Sequence, residues 1–230
     1  DSLKIFTRFL ARLNLMLQNN GSHVADIGIL YPIPSLLGQH FFDERTGPAN
    51  IDGPADPSNE FFKEQVAEID YVDVANWLTN VAGKDFTFIH PEVLDEKCSI
   101  AGARLHLENS INREDFSMLV IPSCKTISVS NMQKITDFYH AGGVVIFTTR
   151  LPFKSAEKGQ DQRITALISS LFPQAEESAG VWQFNSTGGR AMFIPQPDGD
   201  ILRKACEDSG IGFDVDYPRN ENIQYIHKAN

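Results

Sequence analysis

The chain has 230 residues, a formal net charge of −10 and a hydrophobic fraction of 42%. This composition predicts an ordered protein with a sizeable core and argues against disorder. The acidic balance argues against nucleic acid and anionic membranes as partners, and no apolar run reaches the roughly 18 residues that span a bilayer. Three scattered cysteines are too few for a disulfide framework or a zinc site. The sequence contains no GxGxxG motif, and no cofactor is predicted.

The first part of the chain predicts a helix, a buried strand and a long loop. Apolar positions recur at helical spacing over residues 3–18, and Asn20-Gly21 marks the end of that helix. A buried strand follows over residues 24–33. The polar loop from Pro34 to about Pro57 exceeds the usual length of a connection, and such loops are usually functional or mobile.

A second helix is predicted from Asp56 or Ser58 to about Gly83, and a strand follows over residues 85–91. The pattern between residues 93 and 112 is mixed. Apolar and polar residues alternate over residues 103–111, which favours a short strand or a hairpin arm at a sheet edge.

The central stretch, from Phe116 to Arg150, predicts two buried strands joined by a helix. The helix has Ser128 or Ser130 as its cap, and Gly142-Gly143 ends it because glycine adopts the left-handed conformation at little cost. A strand, a helix and a strand in this order form a right-handed parallel unit. The sequence therefore predicts an α/β fold around a mostly parallel sheet.

The last third predicts a helix from Asp161 to Phe172, strands over 181–184 and 190–195, and a helix over 199–208. Taken together, the elements predict a single α/β domain over residues 1–230. Residues 1–22 form a lead-in helix, and residues 213–230 begin a following β segment. Because both ends interrupt regular patterns, we expect a piece excised from a longer, multidomain chain.

Candidate ligand-binding residues follow the predicted parallel strands. Ligands of open parallel sheets bind beyond the carboxyl ends of the strands, and Tyr31, Ser123, Thr149 and Arg150 lie at those ends. His40, in the long loop, is a further candidate. The alternative interpretation is that these are ordinary residues between strands and loops.

Cys124 and His90 are weak catalytic candidates. Lys125 could lower the pKa of the neighbouring thiol, but the segment lacks the flanking glycines of a nucleophile elbow. A small buried cysteine is therefore the favoured interpretation. His106 and Glu108 share one face of a predicted strand, but without a third ligand nearby we predict no metal site.

Two stretches carry a family resemblance. The helix RFLARLNLMLQNNGSH with the strand VADIGILYPIPS resembles a segment of the large bacterial α-L-rhamnosidases. The later order of an LVIP strand, a helix, GGVVIFT and RLP is similar to the same proteins and to the amidotransferase-like domain of β-galactosidases that carry a trimerisation domain. The resemblance covers residues 8–33 and 113–153.

The resemblance implies a three-layer α/β/α domain, like class I glutamine amidotransferases and flavodoxin, beside a catalytic (β/α)8 barrel. In those enzymes the catalytic carboxylates belong to the barrel, so no catalytic residue is transferred to this chain. The elbow-like position holds Thr148-Thr149 instead of a cysteine. The resemblance also implies a secreted or periplasmic parent enzyme.

Two functions are open at this point. The first is a non-catalytic domain that packs on the catalytic domain of the same chain and shapes its carbohydrate site or holds a homo-oligomer together. The second is a small-molecule amidase or sensor that uses Cys124 with a nearby histidine.

Overall fold

The computed structural model describes residues 2–17, 22–38, 69–108, 113–174, 178–212 and 227–229. His40, most of the predicted long loop, the beginning of the second predicted helix and most of the predicted terminal strands lie outside these ranges. Among the residues that the structure describes, no helix combines the length and apolar character needed to cross a membrane.

Helices and strands follow one another along the described chain. The helices are α1 (Ser2–Leu17), α2 (Ile33–Gly38), α3 (Tyr71–Asn76, continued as a π-helix over Trp77–Ala82), α4 (Pro91–Lys97), α5 (Val129–His140), α6 (Asp161–Leu171) and α7 (Gly199–Asp208). The strands are β1 (Ser22–His23), β2 (Ile27–Leu30), β3 (Thr87–Ile89), β4 (Cys98–Ala101), β5 (Arg104–Glu108), β6 (Arg113–Phe116), β7 (Met118–Ile121), β8 (Thr126–Ile127), β9 (Val144–Thr148), β10 (Lys154–Ser155), β11 (Gln183–Phe184), β12 (Arg190–Ile194) and β13 (Lys228–Ala229).

A six-stranded sheet forms the centre, in the order β3-β2-β7-β9-β12-β11. Its first five strands run parallel, and β11 pairs antiparallel at the edge. The predicted central unit is confirmed, because β7 and β9 pair in parallel with Met118 opposite Val144. A mixed α/β fold with a mostly parallel central sheet is therefore confirmed.

Both faces of the sheet are covered, because side chains alternate between two cores along each buried strand. Leu119 and Ile121 enter one core, together with buried side chains of α4, α5 and α6. Met118 and Val120 enter the other, together with side chains of α3 and α7. The near-continuous apolar runs of the sequence are explained by this double burial.

The stretch with a mixed pattern forms a separate antiparallel sheet, β4-β5-β6. The predicted strand is confirmed as β5, but the expected edge position is wrong, because β5 is the central strand of this sheet and pairs with both β4 and β6. The long apolar run that begins at Phe116 is two strands, because the backbone N–H groups of Ser117 and Met118 both donate to the Asp26 carbonyl, at 2.9 and 3.1 Å. Chain direction therefore changes between β6 and β7.

Two short helices correct the sequence-based prediction. Helix α2 occupies the beginning of the predicted long loop. Helix α4 begins at Pro91, the residue at which the predicted strand over residues 85–91 ends. His90 caps the helix, and proline suits the first helical position. Helix α6 begins at Asp161 as predicted, but the Asp161 carboxylate accepts a hydrogen bond from the Ser155 backbone N–H, at 2.9 Å, instead of capping the helix.

Gly189 permits a close approach between the β11–β12 turn and the end of α5. A Cβ atom at this position would lie 1.9 Å from the Tyr139 carbonyl oxygen. We expect Gly189→Ala to lower the free energy of unfolding by roughly 1–2 kcal/mol, because the backbone must shift to relieve the overlap. Gly212→Ala is the control, since a Cβ atom there meets open space. Urea denaturation of both variants checks this, and equal stabilities would contradict it.

Candidate functional site at the carboxyl edge of the sheet

The parallel strands all end at one edge of the sheet, as the sequence predicted. Strand β2 lies between β3 and β7, so the strand order reverses between β2 and β7, the position at which ligands of open parallel sheets bind. Five side chains surround this position: Tyr31, Asp70, Tyr71, Ser123 and Thr149. We call these residues the rim.

A buried carboxylate joins two strand ends within the rim. Asp70 is 7% exposed, and its Oδ1 atom accepts a hydrogen bond from the Ser123 backbone N–H at 2.6 Å. Its Oδ2 atom accepts a hydrogen bond from the Thr149 hydroxyl at 2.7 Å. One side chain therefore holds the ends of β7 and β9 together.

Thr149 has a left-handed backbone, with φ of 57°. A β-branched residue rarely adopts this conformation, which costs about 1–2 kcal/mol. The Asp70 carboxylate and the Ile194 carbonyl hold it, the latter accepting from the Thr149 backbone N–H at 2.8 Å. Strain of this kind is typical of functional positions.

Two substitutions of Thr149 distinguish the effect of backbone strain from the effect of losing the hydroxyl group. Both Thr149→Gly and Thr149→Ala remove the hydrogen bond to Asp70, but only glycine adopts a φ of 57° freely. We expect the glycine variant to be more stable than the alanine variant by about 1 kcal/mol. Thermal and urea denaturation check this order, and the reverse order would show that position 149 carries no strain.

An aromatic cluster adjoins the carboxylate. The Tyr31 and Tyr71 rings meet edge to face with centroids 5.2 Å apart, and Phe88 lies 5.9 Å from Tyr31. A hydrogen bond with the Tyr31 side chain raises the pKa of Tyr71, and partial burial adds to the effect. Phe88 is 43% exposed. The cluster offers solvent both apolar ring surface and phenol hydroxyls, a combination that suits ligands with apolar faces and hydrogen-bonding groups.

Cys124 lies at the end of β7 but is inaccessible. It is 2% exposed, and burial, with a smaller effect of the nearby Asp70 charge, raises its pKa to about 12. His90 is exposed, and its Nδ1 atom accepts from the Glu92 backbone N–H at 3.3 Å as the cap of α4. A thiol with this pKa is not a thiolate nucleophile at neutral pH.

We expect iodoacetamide to alkylate Cys124 at pH 7.5 at least tenfold more slowly than a free thiol. Cys98 and Cys206 are also buried and have pKa values raised to about 11 and 12, so the folded chain as a whole should resist labelling. Mass spectrometry with time checks this, and the chain unfolded in urea is the control. Rapid labelling of Cys124 alone would indicate an activated thiol.

The structure brings some predicted site residues together. Tyr31, Ser123 and Thr149 lie in the rim, and Arg150 follows Thr149 in a half-buried position. His106 pairs with Asp115 on the antiparallel sheet. Within the described ranges, no group of three histidine, cysteine, aspartate or glutamate side chains could hold a metal ion.

Asp70 and Tyr71 are the rim residues that the sequence did not indicate. An aspartate before an apolar helix pattern is typical of a helix cap. Asp70 does precede α3, but its side chain makes no cap hydrogen bond. Instead it bonds to residues 53 and 79 positions further along the chain. No local signal marks such contacts.

The chain belongs, by its fold, to the class of mixed α/β proteins with a mostly parallel sheet. No protein-family profile and no curated protein matches its sequence. Among solved structures, it is similar to a rhamnosidase from Novosphingobium sp. PP1Y, with 16% sequence identity and a TM-score of 0.56. The similarity covers 96% of this chain and 17% of the rhamnosidase.

Proposed function

We propose that the chain is a non-catalytic domain of a glycoside hydrolase related to rhamnosidases. The observation that carries the proposal is the structural similarity, which extends over 96% of this chain but over 17% of a rhamnosidase. The order of the five parallel strands supports the finer assignment. Numbered along the chain it is 2-1-3-4-5, the order of flavodoxin-like folds, so we assign the domain to the three-layer, amidotransferase-like group.

The chemistry of the rim supports a non-catalytic role. Glycoside hydrolysis requires two carboxyl groups on opposite sides of the scissile bond. The rim carboxylate, Asp70, uses both of its oxygens to join neighbouring strands. The alternative role, an amidase that uses Cys124, requires a thiolate, and burial of Cys124 opposes that.

The proposed partner is a catalytic barrel in the same longer chain, and the proposed ligand is the carbohydrate substrate of that enzyme. Tyr31 and Tyr71 would then form part of one wall of the sugar site, because aromatic rings stack on the C–H faces of sugars while their hydroxyls bond to sugar hydroxyls. The parent enzyme would be secreted or periplasmic, and a homo-oligomer is a further part of this proposal.

Hydrolysis of aryl glycosides tests the proposal. The panel includes α-L-rhamnoside and β-D-galactoside, and it is offered to this chain and to the full-length protein. We expect turnover by the full-length protein and none by the folded chain. Turnover by this chain alone, or inactivity of the full-length protein on every glycoside, would overturn the proposal.

Tyr31 and Tyr71 can be tested in the full-length protein. We expect Tyr31→Ala and Tyr71→Ala to raise KM for the preferred glycoside by about fivefold, or about 1 kcal/mol, with kcat little changed. Phe184→Ala is the control, because this ring is 66% exposed on the edge strand β11, away from the rim. An unchanged KM in both tyrosine variants would exclude the rim from the sugar site.

A further inference from the structure

Helix α1 has an apolar face that no part of the described chain covers. Every described side chain from Leu3 to Asn14 is exposed. Leu3 is 76% exposed and Phe9 is 60% exposed, in contrast with the large side chains of the two cores. Burying a side chain of this size stabilises a protein by about 1.5–3 kcal/mol, so this face is suited to contact another surface.

The apolar side chains occupy one broad arc of the helix. At about 100° per residue, they cover roughly 160° of the circumference. The opposite flank is basic, because three cationic side chains follow one another four residues apart and the described helix contains no acidic residue. The apolar arc contains Leu3, Ile5, Phe6, Phe9, Leu10 and Leu13, and the basic flank contains Lys4, Arg8 and Arg12.

We infer that the apolar arc of α1 is the surface on which this domain docks to another domain of the longer protein. The inference rests on the proposed function and names its interface. The occupant is an apolar surface with acidic residues along the side that meets Arg12, since Arg12 borders the arc next to Ile5. The similar rhamnosidase is long enough to contain further domains, because this chain covers 17% of its length.

The width of the arc favours a domain surface over a second copy of α1. A two-stranded coiled coil buries a narrow seam, which would leave the border of the arc at Ile5 in water. A symmetric pair of α1 helices also brings equivalent flanks together. The basic flank of one copy would then face the basic flank of the other, and the described helix has no acidic residue to pair with it. An anionic membrane is disfavoured by the net charge of −10.

Cysteine labelling tests the inference. Phe9→Cys places a thiol within the apolar arc, and Ala11→Cys places one on the opposite side of the same helix. The native cysteines are buried, and we expect them to react slowly. Each variant is labelled with a maleimide in this chain and in the full-length protein. We expect Phe9→Cys to react at least tenfold more slowly in the full-length protein, whereas Ala11→Cys reacts at the same rate in both.

Each other outcome overturns the inference. Equal rates for Phe9→Cys in the two proteins would show that no other domain covers the arc. Slow, concentration-dependent labelling in this chain alone would identify a second copy as the occupant. Slowing by phosphatidylcholine–phosphatidylserine vesicles would identify a membrane surface. The glycoside panel is independent: protection in a full-length protein without glycosidase activity would retain the interface and reject the proposed function.

Discussion

Replacement of Asp70 by alanine is expected to lower the free energy of unfolding by about 2–4 kcal/mol. The variant removes the acceptor for two donors, the buried Ser123 backbone N–H and the Thr149 hydroxyl. A buried donor without a partner costs about 1–3 kcal/mol. The left-handed backbone of Thr149 also loses one of the two contacts that hold it, so the ends of β7 and β9 should separate.

Two matched variants make the Asp70 measurement specific. Asp70→Asn keeps one carbonyl oxygen as an acceptor, so its loss of stability should be intermediate. Asp73→Ala removes an exposed carboxylate from the first turn of the same helix and should change stability by less than about 1 kcal/mol. Urea denaturation measures all three. A stability of Asp70→Ala within about 0.5 kcal/mol of the parent would show that the carboxylate does not join the strands.

A second expected result concerns the pH dependence of folding. His23, in β1, contacts two carboxylates: its Nε2 atom lies 2.7 Å from Asp85 Oδ2, and its Nδ1 atom lies 3.4 Å from Glu114 Oε1. Glu114 is buried, and its Oε2 atom has no hydrogen-bond partner among the described residues. Hydrogen bonds to Asp85, and then to Glu114, raise the pKa of His23 from 6.5 to about 9.

The sign of the pH effect follows from the raised pKa. The folded protein retains the His23 proton up to about pH 9, whereas the unfolded chain releases it near pH 6.5. The stabilisation is therefore fully present below pH 6.5 and is lost as the pH rises to about 9. A shift of this size corresponds to at most about 3 kcal/mol, and screening of the partly exposed ring reduces it to about 2 kcal/mol.

Urea denaturation at pH 6, 7.5 and 9 measures the His23 contribution. The parent should lose about 2 kcal/mol of stability over this range, and His23→Gln should be less stable at pH 6 and nearly independent of pH. His106→Gln is the control for the loss of a histidine, because this half-buried residue of β5 pairs with a different carboxylate, Asp115. The same slope in His23→Gln and in the parent would contradict the prediction.

Hydrophobic periodicity was sufficient to predict the central architecture. The runs that became β2, β7 and β9 are buried on both sides, so their composition alone distinguishes them from surface strands. The end of the helix at Gly142 was also predicted from the sequence, and the φ of 106° at this residue suits glycine. Local signals predict local structure well where burial and backbone conformation agree.

The parts that sequence reasoning missed depend on distant partners. The strand break at Ser117 arises from hydrogen bonds to Asp26, about 90 residues earlier. The rim depends on Asp70, whose position before an apolar helix resembles an ordinary cap. Hydrogen bonds between residues far apart in sequence leave no period or spacing in the sequence. For this reason the sequence indicated Tyr31, Ser123 and Thr149 but not Asp70 and Tyr71.

The pairing of β1 with β13 places Ser22 beside Ala229. Neighbouring strands are about 5 Å apart, so this pairing holds together two segments that are about 200 positions apart in the sequence.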